Sequence, residues 1–401
     1  MTGFIARASP PGRRARRSSD GRVAASAASS RRPRVLVLAN TLFPTPDPSM
    51  PGGGPRSWML DVDADIVYVD RALGTDPPRW LRALYRRVPM RLVQVLEALR
   101  VGPRFDAVFC WSVADVALVL ALLCRISRRR MRIVALLTRI SERKKAVLLR
   151  AAHPRLDRII LPPVTQREFA VRSVGVPADA LVALPWTLDT AFWAPVPADG
   201  LHTICAAGGE MRDYPTLVRA LDGLDIPCHI AGVLDTSRPD WWNAADGDRR
   251  GEADAPPHVT FGTMSAEELR DLYARSRFVV VPLRPTDSDN GITCMNEAWA
   301  MGKAVIVSAV AGQRGAFVDG VEGVWVPAGD HAALRQAILA LWRDPERAAR
   351  MGAAGRRKVE AARDHRVFSE GVSAVLHEVA GLSRRADRAG AIAPPPSTHS
   401  A

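Results

Sequence analysis

The sequence predicts an α/β chain of two domains, each built on a doubly wound parallel sheet. Short apolar, β-branched runs alternate with helix-prone segments along the chain, the pattern of strands buried on both faces and joined by helical crossovers. A length of 401 residues gives room for two domains of ordinary size. One stretch, FVVVPLRPTDSDNGITCMNEAWAMGKAVIV at 278–307, spells strand, loop, helix and strand in a single run.

Taken in order, residues 1–33 are rich in Arg, Ser, Ala and Pro and are expected to be a disordered basic tail, too poor in apolar surface to offset ordering. Residues 34–40 read as the first strand, followed by a Pro/Gly-rich loop with Gly52, Gly53 and Gly54. Those glycines could let backbone approach a ligand; with no GxGxxG spacing, a flexible loop explains them as well. A second strand follows at 64–69. Segment 79–100 is a basic amphipathic helix, kinked at Pro89, with Leu81, Leu84, Tyr85, Leu92, Val95, Leu96 and Leu99 at helical spacing. Strands at 106–111, 133–137 and 156–161, with helices at 113–124 and 165–174, complete the first half.

Strand 203–207 opens the second half and leads into GGEMRDYPTLVRAL, whose helix starts near Asp213 or Thr216. Strands at 228–231 and 259–261 follow. Ser265 and Glu268 spell a capping box for the next helix. Strand 278–283 then runs into the turn and cap residues of 285–291. A helix at 295–301 is ended by Gly302, and 304–307 is the next strand. Helices at 331–343, 345–363 and near 366–382 precede a polar tail, 383–401, expected to be disordered.

The composition is globular, with 47% hydrophobic and 24% charged residues and a net charge of +13. The charge is uneven: residues 1–34 hold nine Arg against one Asp, and 79–150 hold 17 Lys/Arg against four Asp/Glu, leaving the remainder net acidic. Nucleic-acid binding would rest on this charge alone, with no motif behind it, and is not expected. The five cysteines have neither CxxC nor Cys/His metal spacing and suit a reducing, cytoplasmic setting. The chain shows no apolar secretory segment, and its longest apolar run, 116–124, is far short of the ~20 residues that span a bilayer. The basic 79–100 segment points to peripheral contact with an anionic membrane.

In a strand–loop–helix unit, ligands bind outside the carboxyl ends of the strands, where helix N-terminal amides attract anions. Asp289 and Glu297 flank that N-terminus. One acid there is an ordinary cap. Two acids around a phosphate seat fit a ligand with both anionic and hydroxyl groups, and a nucleotide-sugar has both.

The same stretch resembles the C-terminal signature of retaining GT-B glycosyltransferases of family 4, in which two acids separated by seven residues straddle a Gly-containing turn. Asp289 takes the place of the first acid, usually Glu, and Glu297 matches the second. A second resemblance lies at Gly175-Val176-Pro177 and the run Pro185, Trp186, Thr187, Leu188, Asp189, Thr190, similar to the family's approach to its second domain. Trp186 and Thr187 depart from that pattern. The resemblance covers about 34–380 and implies a GT-B fold: an acceptor domain at 34–193 and a nucleotide-sugar domain at 194–365 facing a cleft, with 366–382 crossing back to the first domain.

The resemblance also implies roles. Arg212 would stabilise the leaving diphosphate and Asp289 would contact the sugar hydroxyls, the two residues assigned to catalysis. Glu297 would bind ribose, while Gly208, Gly209, Asn290, Gly291, Ile292 and Thr293 would line the donor phosphates. The family has two cations here; Arg212 takes the place of its Lys, and Gly208 or Gly209 stands near its Arg. Phe261, Gly262 and Thr263 lie where its base-binding loop runs. Gly53, Gly54 and Trp111 would face the acceptor, Trp111 standing where many members have a His. No cofactor or metal is expected, although Asp287-Ser288-Asp289 spells the metal triplet of GT-A enzymes. The implied activity is transfer of a hexosyl unit, with retention, from a nucleotide-sugar donor to a hydroxyl acceptor, a lipid-linked or surface-polysaccharide intermediate. The rival is a non-catalytic GT-B protein that binds a nucleotide-sugar or a protein partner.

Overall fold

Apolar runs too short for helices pair here into two sheets, each with six strands, all parallel. The computed structural model describes residues 31–39, 47–55, 61–69, 75–232 and 255–382. Both expected tails therefore fall almost wholly outside the described residues, as does half of the loop after the first strand.

The first sheet comprises β1 (Arg34–Ala39), β2 (Asp65–Val69), β3 (Ala107–Trp111), β4 (Ile133–Leu136), β5 (Arg158–Ile160) and β6 (Leu181–Val182), in the order β2-β1-β3-β4-β5-β6. Helices α1 (Arg79–Tyr85), α2 (Met90–Val101), α3 (Ala114–Ile126), α4 (Arg143–Ala152) and α5 (Val164–Phe169) connect them. The second sheet comprises β7 (Thr203–Ala207), β8 (Cys228–Ala231), β9 (Val259–Phe261), β10 (Ser276–Val281), β11 (Ala304–Ala309) and β12 (Gly323–Pro327), in the order β12-β11-β10-β7-β8-β9. Its helices are α6 (Tyr214–Leu221), α7 (Ala266–Arg275), α8 (Ile292–Ala300), α9 (His331–Arg343) and α10 (Pro345–Ala362), and α11 (His365–Ala380) closes the chain. Strand order reverses between β1 and β3 in one sheet and between β7 and β10 in the other, which opens a crevice at each switch point.

The expected 79–100 helix is two helices. Pro89 lacks an N–H and restricts the residue before it, so α1 ends at Tyr85 and α2 restarts after Pro89 as its N-cap. The break also divides the apolar residues. Leu81, Tyr85, Val93 and Val95 are buried, while Leu84, Leu92 and Leu96 are exposed. Gln94, fully buried, donates from Nε2 to the carbonyls of Ala39 (2.7 Å) and Val69 (2.9 Å), closing the carboxyl ends of β1 and β2. Residues 165–174 are helical as expected, but α5 widens into a π-turn at Ala170–Val174 before Gly175. The helix of the 278–307 stretch starts at Ile292, three residues before the expected 295, because Gly291 turns the chain with φ +91°. The Ser265–Glu268 capping box is present, and Asp213 caps α6.

Chain crossings join the two halves. Leu188 N donates to Arg363 O (3.1 Å) and His365 N to Leu188 O (2.8 Å), so the outgoing and returning strands pair. Helix α11 then lays Phe368, Val372, Val375 and Leu376 against the face of the first sheet formed by Val35, Val37 and Phe109. Across the cleft, Thr165 Oγ1 (2.7 Å) and Gln166 Nε2 (2.9 Å) both donate to the carbonyl of Asp287.

Asp364 sits at the crossing, buried. Its carboxylate accepts from Arg366 Nε (2.7 Å), from Arg366 N (3.0 Å) and from the Thr190 hydroxyl. Burial alone would raise its pKa, but these bonds pull it down to about 2. Asp364→Ala removes both the α11 cap and the crossing contact and is expected to cost about 1–2 kcal/mol. Thermal unfolding followed by circular dichroism should show a lowered midpoint, and Asp364→Asn, which still caps, should recover part of it.

Candidate active site

At the β7/β10 switch point, two loops distant in sequence meet. Asp213 N donates to Pro282 O (3.0 Å) and Arg284 N to Met211 O (2.9 Å), so Gly208–Asp213 and Pro282–Gly291 form one rim. Arg212 turns inward from this rim and is buried. Nε donates to Ala207 O (2.8 Å), Nη1 to Glu210 O (2.8 Å) and Nη2 to Cys294 Sγ (3.1 Å). Gly208 makes room for it: with φ +87°, an added Cβ would stand 2.6 Å from Nη2. The Tyr214 hydroxyl bonds the Gly208 carbonyl and holds the loop down.

The second loop is braced from within. Thr286 Oγ1 donates to Asn290 Oδ1 (2.8 Å), and Gln313 Nε2 donates to Asn290 O (2.6 Å). Gly312 lies so close that a Cβ there would fall 1.7 Å from Ser288 O. Gly291 then delivers the chain into α8, whose first-turn amides, including Thr293, have no carbonyl four residues back within the helix. That end is an anion seat in the sense of aligned N–H dipoles.

Along α8, Cys294 stands under Arg212 and Glu297 follows one turn later. The Tyr273 hydroxyl donates to Glu297 Oε2 (3.1 Å). Burial pushes the Glu297 carboxyl up to about 7, although the Tyr273 bond and the Arg212 charge oppose it. Burial likewise raises Asp289 to about 6, opposed by hydrogen bonds from Trp186 and Ser288. Among the described residues, no three His, Cys, Asp or Glu side chains are grouped to hold a metal ion.

The first domain reaches the same place by its own switch point. Trp111, at the end of β3, packs edge-on against Phe109 (centroids 5.8 Å) and Phe368 (5.5 Å). Phe368 stacks on Trp186 (6.5 Å, 10°), whose indole N–H donates to the Asp289 carboxylate. Gly53 and Gly54 lie in a loop with positive φ at both. Its Met50 packs against the second-domain cluster that includes Ile292, Cys294 and Met295.

The structure thus brings Gly208, Gly209 and Arg212 to one wall and Asn290, Gly291, Ile292 and Thr293 to the α8 terminus, with Glu297 deeper. Asp289 faces the first domain. The Asn290 side-chain oxygen is engaged inside its own loop, whereas the contribution expected of this residue is its backbone amide, and the Arg212 guanidinium donates to Cys294 on α8. Sequence reasoning overlooked Tyr273, Cys294 and Arg363. Cys294, three residues before Glu297, was within reach of helical spacing; Tyr273 comes from another helix and carried no signal.

The fold has counterparts among known proteins. Residues 210–344, about a third of the chain, match the family described as glycosyl transferases group 1. Sequence comparison with curated proteins gives no match. A glycosyltransferase from Rickettsia africae superposes over 88% of this chain and 100% of its own, with TM-score 0.64 and 13% identity. A sucrose-phosphate synthase from Thermosynechococcus elongatus covers 77% of this chain and 81% of its own, with TM-score 0.61 and 21% identity. HepE of Anabaena, in complex with UDP and glucose, covers 86% and 99%, with TM-score 0.62 and 15% identity. Two parallel sheets with flanking helices on either side of a cleft make this a GT-B fold. The stretch in its second half that is similar to glycosyl transferases group 1 includes Arg212, Asp289 and Glu297.

The raised pKa of Glu297 has a measurable sign. From the usual carboxylate value of 4.5 up to about 7 the folded chain holds a proton that the unfolded chain releases. This group's stabilising contribution is therefore lost as pH rises through that window. Glu297→Gln abolishes the loss, so its thermal midpoint should gain on that of the unsubstituted protein between pH 5 and pH 8. A difference that does not change with pH would contradict the assignment.

Proposed function

We propose that this protein transfers a hexosyl unit, with retention, from a nucleotide-sugar to a hydroxyl acceptor. The carrying observation is the convergence of the α8 N-terminus, Arg212 and Glu297 at one switch point, inside the stretch that matches glycosyl transferases. The diphosphate lies on the α8 amides and the ribose hydroxyls donate to Glu297. Arg212 has five N–H donors, and three of its nitrogens already bond protein atoms. The remaining N–H groups face a leaving group whose charge grows as the glycosidic bond breaks, which favours the transition state over the ground state.

Asp289 orients the transferred sugar through its hydroxyls. No histidine occurs in this sequence before His153, so the donor phosphate itself takes the acceptor proton on the front face. No metal is required in this reading: Asp287 of the Asp-x-Asp triplet lies 3.5 Å from Arg139, while Asp289 accepts from Trp186, so the two carboxylates have separate partners. The second domain holds the donor and the first the acceptor. UDP-glucose, bound by HepE, is the first donor to test, and UDP, which HepE also binds, is the product it would release.

Calorimetric titration with UDP separates the alternatives. Glu297→Ala is expected to weaken UDP by roughly ten- to a hundredfold, the loss of hydrogen bonds to a charged group. Unchanged affinity would move the nucleotide elsewhere. Binding without turnover across a panel of UDP- and GDP-sugars would favour a non-catalytic binder.

The acceptor reading, a lipid-linked intermediate at the cytoplasmic membrane face, is supported by the surface of α1 and α2. Trp80 is 70% exposed, and Leu84, Leu92 and Leu96 stand beside exposed Arg79, Arg86 and Arg87. Among the described residues no helix is long and apolar enough to cross a membrane. Apolar side chains among acyl chains with guanidinium groups at the phosphates give reversible attachment, each cation contributing on the order of 1 kcal/mol. Sedimentation with anionic vesicles should pellet the protein, salt should release it, and changing Arg82, Arg86 and Arg87 to Glu should abolish most of the binding. Equal pelleting with neutral vesicles would overturn the electrostatic part.

A further inference from the structure

Beside Asp289, between the domains, lies a cavity of about 290 Å³, at the small end of ligand pockets and wide enough for a monosaccharide. Its charges do not balance. Three arginines line it, Arg167 from α5, Arg314 from the turn after β11 and Arg363 from the end of α10, against a single carboxylate, Asp289. Arg314 is paired with Glu168. Arg167 and Arg363 have no carboxylate within ion-pair distance among the described residues. Arg167 Nη1 is held by the carbonyls of Leu161 (2.7 Å) and Pro162. Among the described residues the Arg363 guanidinium makes one hydrogen bond, a long one, Nη1 to Asn296 Oδ1 at 3.5 Å.

Both guanidinium groups feel their surroundings. Burial lowers the pKa of each, offset for Arg167 by Glu168 and for Arg363 by Asp289 and Glu322. Enclosed cations without anionic partners are costly, and an incoming anion recovers that cost with charge-assisted, bidentate hydrogen bonds. Arginine is suited to this, since its planar fork matches carboxylate and phosphate oxygens. The cavity adjoins the donor seat, sharing Ile292 and Asp289 with it, but Arg212 and Glu297 do not line it, whereas Trp186 and the first-domain residues Pro162 and Pro163 do.

We propose that this cavity is a subsite for an anionic sugar, one bearing a phosphate monoester or a carboxylate, gripped by Arg167 and Arg363 next to Asp289. The proposal rests on the transfer reading above and narrows its substrate. A charged group so placed is either a substituent of the acceptor or one on the transferred sugar, and the two are separated by experiment. The Trp186 ring and the Asp289 carboxylate then meet the sugar body while the arginines meet its charge.

The test uses the full chain and calorimetric titration. In the acceptor arm, glucose 6-phosphate and glucose are each titrated in the presence of saturating UDP. In the donor arm, UDP-glucuronate is compared with UDP-glucose. An anionic acceptor predicts that glucose 6-phosphate binds at least tenfold more tightly than glucose, with little difference between the two donors. An anionic transferred sugar predicts the reverse. Whichever preference appears should be lost in Arg363→Gln and only partly kept in Arg363→Lys, with UDP affinity unchanged and the thermal midpoint not lowered. Arg167→Gln serves as a second variant on the opposite wall. No preference in either arm, or a preference that survives both Gln variants, overturns the subsite. Failure of UDP to bind would instead overturn the nucleotide-sugar reading, and an Arg363-dependent preference for glucose 6-phosphate would still stand without it.

Discussion

A buried guanidinium holds the second domain's working end together. Arg212 bonds the last carbonyl of β7, the carbonyl of Glu210 in its own loop and the thiol of Cys294 on α8. Removing the cation would leave carbonyl oxygens unsatisfied in a site where water does not easily replace it. Gly208 is constrained by the same group, because any side chain there would collide with it. Rim, helix and anion seat therefore form one unit, and residues such as Gly291 and Gly312 act by letting the second loop close onto that unit.

A second constraint comes from the two crossings between domains. Leu188 donates to the Arg363 carbonyl there and accepts from His365 N, and Asp364 ties the returning chain to Thr190. On the far side of the cleft, the carbonyl of Asp287 accepts from Thr165 and Gln166. Gln166 also accepts from Ile140 N (2.8 Å) and Ser141 N (3.1 Å), so it links a first-domain loop to the loop that carries Asp289 and Asn290. Opening the cleft must break those bonds. The shape of the Pro282–Gly291 loop and the separation of the domains are thus coupled through the Asp287 carbonyl, whatever the side chains of the loop are doing.

Much of this architecture was legible in the sequence, for identifiable reasons. β-Branched runs such as 278–281 have few options other than a buried strand, and Ser265 with Glu268 satisfies helix amides locally. Errors arose where a local rule met a conformation it did not anticipate. Ile292 and Thr293 look unlike a helix start until the positive φ of Gly291 is known, and Pro89 breaks what periodicity alone joins. At the candidate site, residue types could be read but pairings could not. Arg212 and Cys294 are 82 residues apart, and Trp186 and Asp289 are 103 apart. The apposition of Arg167 and Arg363 is set by how two domains meet, and periodicity carries no trace of it.

The return of α11 has a consequence for how the protein is made. Phe368, Val372, Val375 and Leu376 form part of the wall over one face of the first sheet. On a ribosome, the strands of that sheet are synthesised early, and the helix that covers them comes last. Until more than 200 further residues have emerged, Val35, Val37 and Phe109 lack that cover. Apolar faces left open during synthesis are what chaperones bind and what aggregation starts from. The first domain is thus the earlier to be translated and the later to be finished, and a chain interrupted before residue 365 would carry that open face permanently.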